Sequence, residues 1–224
     1  MELEALRLSL YVALRSVALG LPLAIIAAWL LSRSRFIGRT LLDAIVHLPL
    51  VLPPVVVGYV LLLLFGTRGP LGGWLYSTFG IRVAFTSAGA ALATAVMTFP
   101  LMVRAVRLSL EAIDPRLEDT ARTLGAGSID RFCTITLPLM APGIVAGAII
   151  AFAAGLGEFG AVITFASNIP GETRTLPLAL YTALQSPGGD ALAARLAGIS
   201  FVLGLTGLVL AEWVSRALRR RVGR

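Results

Sequence analysis

The stretch Asp114-Pro-Arg-Leu-Glu-Asp-Thr-Ala-Arg-Thr-Leu-Gly-Ala-Gly-Ser-Ile-Asp-Arg-Phe-Cys-Thr-Ile-Thr-Leu-Pro138 is a polar island in an apolar chain. Its residue order is that of a capped helix and a turn. Asp114 is a good N-cap, and Pro115 suits the first helical position. Glu118 and Asp119 fall near the positive end of the helix dipole. Leu117, Ala121 and Leu124 recur at i, i+4 and i+7 and make one apolar stripe. Gly125 stands where a left-handed C-terminal residue is expected. Ala126, Gly127 and Ser128 then turn the chain. Ser128 is expected to cap a second short helix through Cys133, whose apolar face is Ile129, Phe132 and Cys133. Pro138 opens the next apolar run. The polar face mixes Glu118, Asp119 and Asp130 with Arg116, Arg122 and Arg131, unlike the basic face of a helix lying on lipid headgroups. A compact knob of this kind fits a groove in another protein.

The rest of the chain is strongly apolar. Of its 224 residues 57% are hydrophobic and 14% charged, with a mean hydropathy of +0.88. Soluble domains hold roughly 45–50% apolar and about 25% charged residues. Five runs reach the roughly 20 residues that a bilayer-spanning helix needs. They cover about 8–31, 41–65, 84–103, 138–166 and 192–214. The reading is an all-α integral membrane protein, a single domain over 1–224 with five transmembrane helices and a loop at 104–137. The first run is too long for a signal-peptide core and lacks a basic leader, so it reads as retained. Of the 19 arginines, 13 fall in segments 32–40, 104–137 and the tail beyond 214, and four in the alternating segments. Basic loops stay cytoplasmic, so the N-terminus is expected outside and the C-terminus inside. The tail arginines Arg216, Arg219, Arg220, Arg221 and Arg224 would anchor the last span against anionic lipid.

The inventory excludes much chemistry. The chain has no Lys, which removes a phosphate-binding loop and Schiff-base catalysis, and a single histidine, His47, which removes paired-His metal sites. Cys133 has no cysteine partner in the chain. No nucleic-acid partner is expected, because most arginines flank apolar runs. The chain reads as a non-enzyme without a cofactor of its own.

Other residues carry open readings. Pro49, Pro53 and Pro54 make either a hinge that lines a pathway or a kink that improves packing. Gly143 and Gly147, extended by Ala151, suit close helix packing, and Ser200 with Gly204 is a looser version. Glu158, next to Phe159 and near the outer mouth, reads as structural pairing with Arg15 or Arg195, or as a gate contact. His47 reads as a hydrogen-bonded structural residue and Cys133 as packing on the knob's apolar face. Asn168, Glu172 and Arg174 lie in an outer loop that either touches a partner or is a plain turn.

Asp119-Thr-Ala121, then Gly125, nine residues, and Ile135-Thr-Leu-Pro138 resembles the EAA loop of ABC importer permeases, whose usual form is E-A-A-x-x-x-G-x9-I-x-L-P. The spacing from Gly125 to Pro138 matches. Asp and Thr replace Glu and Ala, and Glu118 sits one residue early, so either carboxylate could take the acidic role. The resemblance extends over nearly the whole chain. His47-Leu-Pro-Leu-Val-Leu-Pro-Pro-Val-Val-Val-Gly58, Phe99-Pro-Leu-Met-Val-Arg104, Thr123-Leu-Gly-Ala126, Leu156-Gly-Glu-Phe-Gly-Ala161 and Ser167-Asn-Ile-Pro-Gly-Glu-Thr-Arg-Thr175 look like molybdate permeases, and sulfate permeases share parts of the pattern. The resemblance implies a type I importer fold in the bacterial inner membrane and a homodimer. It implies two cytoplasmic ATPase subunits that bind ATP and Mg, docked on Asp114, Leu117, Glu118, Asp119, Ala121, Leu124, Gly125, Ala126, Ile135 and Pro138. It also implies an external binding protein that delivers molybdate, or in other branches tungstate, sulfate or thiosulfate. A passive channel or scaffold is the remote alternative.

Overall fold

The computed structural model describes residues 2–34 and 36–221, among which every regular element is helical. Helix α1 runs Glu2–Arg33, α2 Arg39–Val51, α3 Pro54–Phe65, α4 Pro70–Phe79 and α5 Ser87–Glu111. Helix α6 is Pro115–Thr123 and α7 Ser128–Arg131, followed by a π-helical turn, Phe132–Thr136. Then come α8 Leu137–Leu156, α9 Gly160–Ala166, α10 Leu176–Leu184 and α11 Asp190–Arg221. Among the described residues, four stretches are long and apolar enough to cross a membrane: Glu2–Arg33, Ser87–Glu111, Ser128–Leu156 and Asp190–Leu210. The bent pair α2 and α3 makes a fifth if counted as one span. Arg35, Arg224 and the side chains of Arg216, Arg219, Arg220 and Arg221 lie outside what is described.

The core is the packing of α1 and α8 on α5. Small residues make it possible, because close approach of backbones replaces the hydrophobic drive that lipid does not supply. A Cβ on Gly143 would overlap Ser109 and stand 2.8 Å from the Ala105 carbonyl, and one on Gly147 would stand 3.2 Å from Ala105 Cβ. Gly143, Gly147 and Ala151 are all buried. Among the described residues Ser200 and Gly204 make no such contact: nothing stands within 4 Å of a Cβ on Gly204, and Ser200 Oγ donates to its own helix at Leu196 O. Two buried hydroxyls of α5 are satisfied within their own helix, Thr94 Oγ1 donating to Ala90 O at 2.9 Å and Thr98 Oγ1 to Thr94 O at 2.9 Å.

Two of the expected spans are broken. The run 41–65 bends by 117° between α2 and α3. The residue before a proline is driven from the helical region, and the two consecutive prolines leave Leu52 at φ −77°, ψ 143° and Pro53 at φ −55°, ψ 135°, both extended. Pro49 stays inside α2. The run 138–166 also divides, with α8 ending at Leu156 and α9 starting at Gly160. Phe159, at φ −124°, ψ −54°, marks the turn. The two half-helices that follow these breaks lie on each other. A Cβ on Gly58 of α3 would stand 2.7 Å from Ala161 O of α9, and one on Gly160 would stand 2.8 Å from Pro54 Cβ. Helix α5 runs to Glu111, eight residues beyond its apolar run, so the connecting loop is shorter than 104–137.

Candidate functional site

Helix α6 is assembled from purely local signals. Asp114 Oδ1 accepts the Arg116 amide at 2.9 Å, and Pro115 occupies the first turn. The other end closes as a Schellman turn: the Gly125 amide donates to Arg122 O at 3.1 Å and the Ala126 amide to Ala121 O at 3.0 Å. Gly125 has φ +90°, which that closure requires. Helix α6 contains no buried residue. The stripe that the periodicity marks faces outward: Leu117 is 48% exposed and Leu124 83%. Ile129, on α7, is 80% exposed.

The second part of the loop departs from expectation. Ser128 is the first residue of α7 and not its cap, which is Gly127; its hydroxyl instead accepts from Arg131 Nη2 at 3.3 Å. The helix does not stop at Cys133 but passes through the π-helical turn directly into α8. Pro138 therefore sits within a continuous helix, and the π-turn ahead of it accommodates a residue that lacks an amide donor. Cys133 is exposed rather than packed. Ile135 is partly buried in the π-turn.

The two adjacent carboxylates separate in role. Glu118 Oε1 lies 3.0 Å from Arg33 Nη2 and accepts from Thr136 Oγ1 at 2.9 Å. Asp119 has only a 3.9 Å approach to Arg122, and both are largely exposed. At the same end of the bundle lies a charge network that the sequence reading missed. Arg107 of α5 reaches Asp43 of α2 at 3.2 Å and Glu111 at 2.8 Å, and His47 Nδ1 lies 2.9 Å from Asp43 O. The spacings of Asp43 to His47 and of Arg107 to Glu111 are both i, i+4, the signal that could have found it.

At the second break, Glu158 pairs with no arginine among the described residues. Its Oε1 accepts the Ala161 amide at 2.9 Å and so satisfies a donor that the start of α9 leaves open. The two arginines nominated for it are engaged elsewhere, Arg15 over the Tyr11 ring at 4.2 Å and Arg195 with Glu2 at 3.2 Å. Phe159 stacks on Tyr181 with centroids 5.1 Å apart. In the loop after α9, Asn168 receives Arg174 Nε at 2.9 Å and donates to Thr182 at 2.8 Å, which fixes the turn from within. Glu172 is exposed.

The architecture has close counterparts. The family model for the inner membrane component of binding-protein-dependent transport systems matches residues 20–220. The chain belongs to that family. The molybdenum transport system permease protein ModB of Escherichia coli (strain K12) is 58% identical over 223 residues, covering 100% of this chain and 97% of the relative. The sulfate transport system permease protein CysT of the same organism is 42% identical over 182 residues, 80% of this chain and 65% of the relative. The permease fold is shared with a chain in the crystal structure of a bacterial alginate ABC transporter in complex with an alginate pentasaccharide-bound periplasmic protein. That match has a TM-score of 0.76 at 19% identity and covers 96% of this chain and 78% of that one.

Proposed function

We propose that this chain is the membrane-spanning subunit of an ATP-driven importer that passes molybdate into a bacterial cell. The observation that carries this reading is the 58% identity, end to end, with a molybdenum permease. Identity with the sulfate permease is lower and spans less of both chains.

In this reading the single domain 1–224 crosses the inner membrane five times, α2 and α3 together forming the second span. The N-terminus lies outside and the C-terminus in the cytoplasm, as the arginine distribution supports. Two copies enclose the pathway among membrane lipid. Two cytoplasmic ATPase subunits, which bind ATP and Mg, dock on the loop Asp114–Pro138 through Leu117, Leu124 and the solvent-facing Asp119. An external binding protein delivers the oxyanion at the end that carries Asn168, Glu172 and Arg174. The broken segments at Pro53–Pro54 and Glu158–Phe159, with Pro49 below the first, form the gate. ATP-driven closure of the ATPase pair draws the two loops together and rocks the spans from inward-open to outward-open. ATP hydrolysis reverses the motion and releases the anion inside.

Reconstitution of the permease with its cognate ATPase in proteoliposomes tests this reading. Binding protein loaded with molybdate stimulates ATP hydrolysis and drives uptake. Stimulation by the sulfate-loaded form alone assigns the chain to sulfate, and no stimulation by any loaded binding protein refutes the proposal.

Gly125 gives a second test. Nothing stands within 4 Å of a Cβ there, so only the backbone conformation opposes a side chain. A β-branched residue in the left-handed region costs about 1–2 kcal/mol. Gly125→Val therefore unravels the Schellman turn and lowers uptake, whereas Gly125→Asn, whose side chain tolerates that region, keeps most of it. Equal uptake by both variants contradicts the role given to the turn.

A further inference from the structure

Adjacent helical residues point about 100° apart, so Glu118 and Asp119 cannot face the same partner. Glu118 turns toward its own chain, its side chain 26% exposed against 68% for Asp119. One oxygen, Oε1, meets both Arg33 Nη2 at 3.0 Å and Thr136 Oγ1 at 2.9 Å. Arg33 is the last residue of α1, where a cation is favoured by the helix dipole. Thr136, 4% exposed, ends the π-turn that leads into α8. A single carboxylate on α6 thus holds two membrane-spanning elements, 85 and 18 residues away in sequence.

Little else connects α6 to α1. Helix α6 buries no residue. A cleft of about 430 Å³ separates the wall of α1 at Ile25, Ile26 and Trp29 from the segment around Ile129 and Phe132. Glu118 lines that cleft. The caps of α6, by contrast, are all internal to residues 114–126. The helix can therefore fold and present Leu117 and Leu124 without Glu118, yet it would lose its polar hold on α1.

We infer that Glu118 is a positioning residue that transmits motion of α6 into the bundle, through Arg33 to α1 and through Thr136 to α8. This rests on the proposed docking of an ATPase on α6. Asp119 faces that ATPase, and Glu118 carries the displacement inward. Removing the strut leaves an ATPase that binds and hydrolyses but moves the spans poorly.

The test uses the full complex of permease and ATPase in proteoliposomes with loaded binding protein outside. It compares wild type with Glu118→Gln, Arg33→Gln and the exchange Arg33→Glu with Glu118→Arg. The readouts are co-purification of the ATPase, ATP hydrolysis, and anion imported per ATP. The two single variants retain the ATPase at wild-type stoichiometry but import about tenfold less per ATP, a loss in the usual range of coupling between sites. The exchange restores most of the ratio, which a general loss of folding would not permit. Thr136→Val lowers the ratio less than either. A wild-type ratio in both single variants, no recovery in the exchange, or loss of the ATPase from Glu118→Gln overturns the inference while leaving the docking reading intact. Failure of the wild-type chain to hold any ATPase overturns the docking reading itself, and the inference with it.

Discussion

Leu124→Asp separates the permease from its ATPase while leaving the permease folded. Leu124 is 83% exposed and lies one stripe from Leu117, seven residues earlier, so the two present one apolar ridge. Burial of a leucine against a partner is worth about 1.5–3 kcal/mol. An aspartate in its place removes that gain and adds the desolvation of an unpaired charge, so affinity falls by about a hundredfold or more. The chain's own stability hardly depends on Leu124, because the residue touches no core. Co-purification of the ATPase and the thermal midpoint of the isolated permease read the two effects separately. Wild-type binding by Leu124→Asp contradicts the assignment of this ridge as the docking face.

Gly58→Val arrests transport without affecting ATPase docking. The new Cβ would stand 2.7 Å from the Ala161 carbonyl oxygen and 3.0 Å from Ala161 Cα, both backbone atoms that cannot rotate away. It would also stand 2.8 Å from Thr164 Cβ. Helices α3 and α9 must then separate, at a cost of about 1–3 kcal/mol for overpacking. Each of them follows a break in its span, so the displacement falls on the joints at Pro53 and at Glu158–Phe159. Uptake drops by about tenfold or more if the closed arrangement of these half-helices is a working state of the gate. Gly58→Ala, with the same Cβ but no branch, gives a smaller loss in the same direction. Full uptake by Gly58→Val sinks the gate assignment, and the ATPase binding measured alongside shows that the loop at the other end is undisturbed.

What could be read from residues alone was what local chemistry decides. The limits of α6 follow from Asp114, Pro115 and Gly125, because capping involves only neighbours within a turn or two. The apolar runs follow from composition. The breaks were harder. Gly157-Glu-Phe-Gly160 interrupts an apolar run with a single charge, and nothing in it announces that the Glu158 carboxylate will cap a new helix at Ala161. That Glu118 turns toward the bundle while Asp119 stays exposed was not legible either, since Arg33, which Glu118 meets, lies 85 residues away. The π-turn at Phe132–Thr136 and the exposure of Cys133 depend on how α7 joins α8, a tertiary matter. The short helix expected to end at Cys133 failed for that reason: its local pattern was sound, but Pro138 was accommodated by a wider turn instead of breaking the chain.

In the proposed function, the loop 114–138 is on the cytoplasmic side and is the handle that an ATPase grips. It can be tested with one labelled position. Cys133→Ser removes the only thiol of the chain, and Leu124→Cys then places a single one on the exposed ridge. In membrane vesicles containing the permease without its ATPase, a membrane-impermeant maleimide is expected to label Cys-bearing permease in inside-out vesicles and not in right-side-out ones. ATPase bound to the permease is expected to shield it, and a short bifunctional crosslinker to join the two subunits. Labelling from the outside, or no shielding and no crosslink to an ATP-hydrolysing subunit, would contradict the claim.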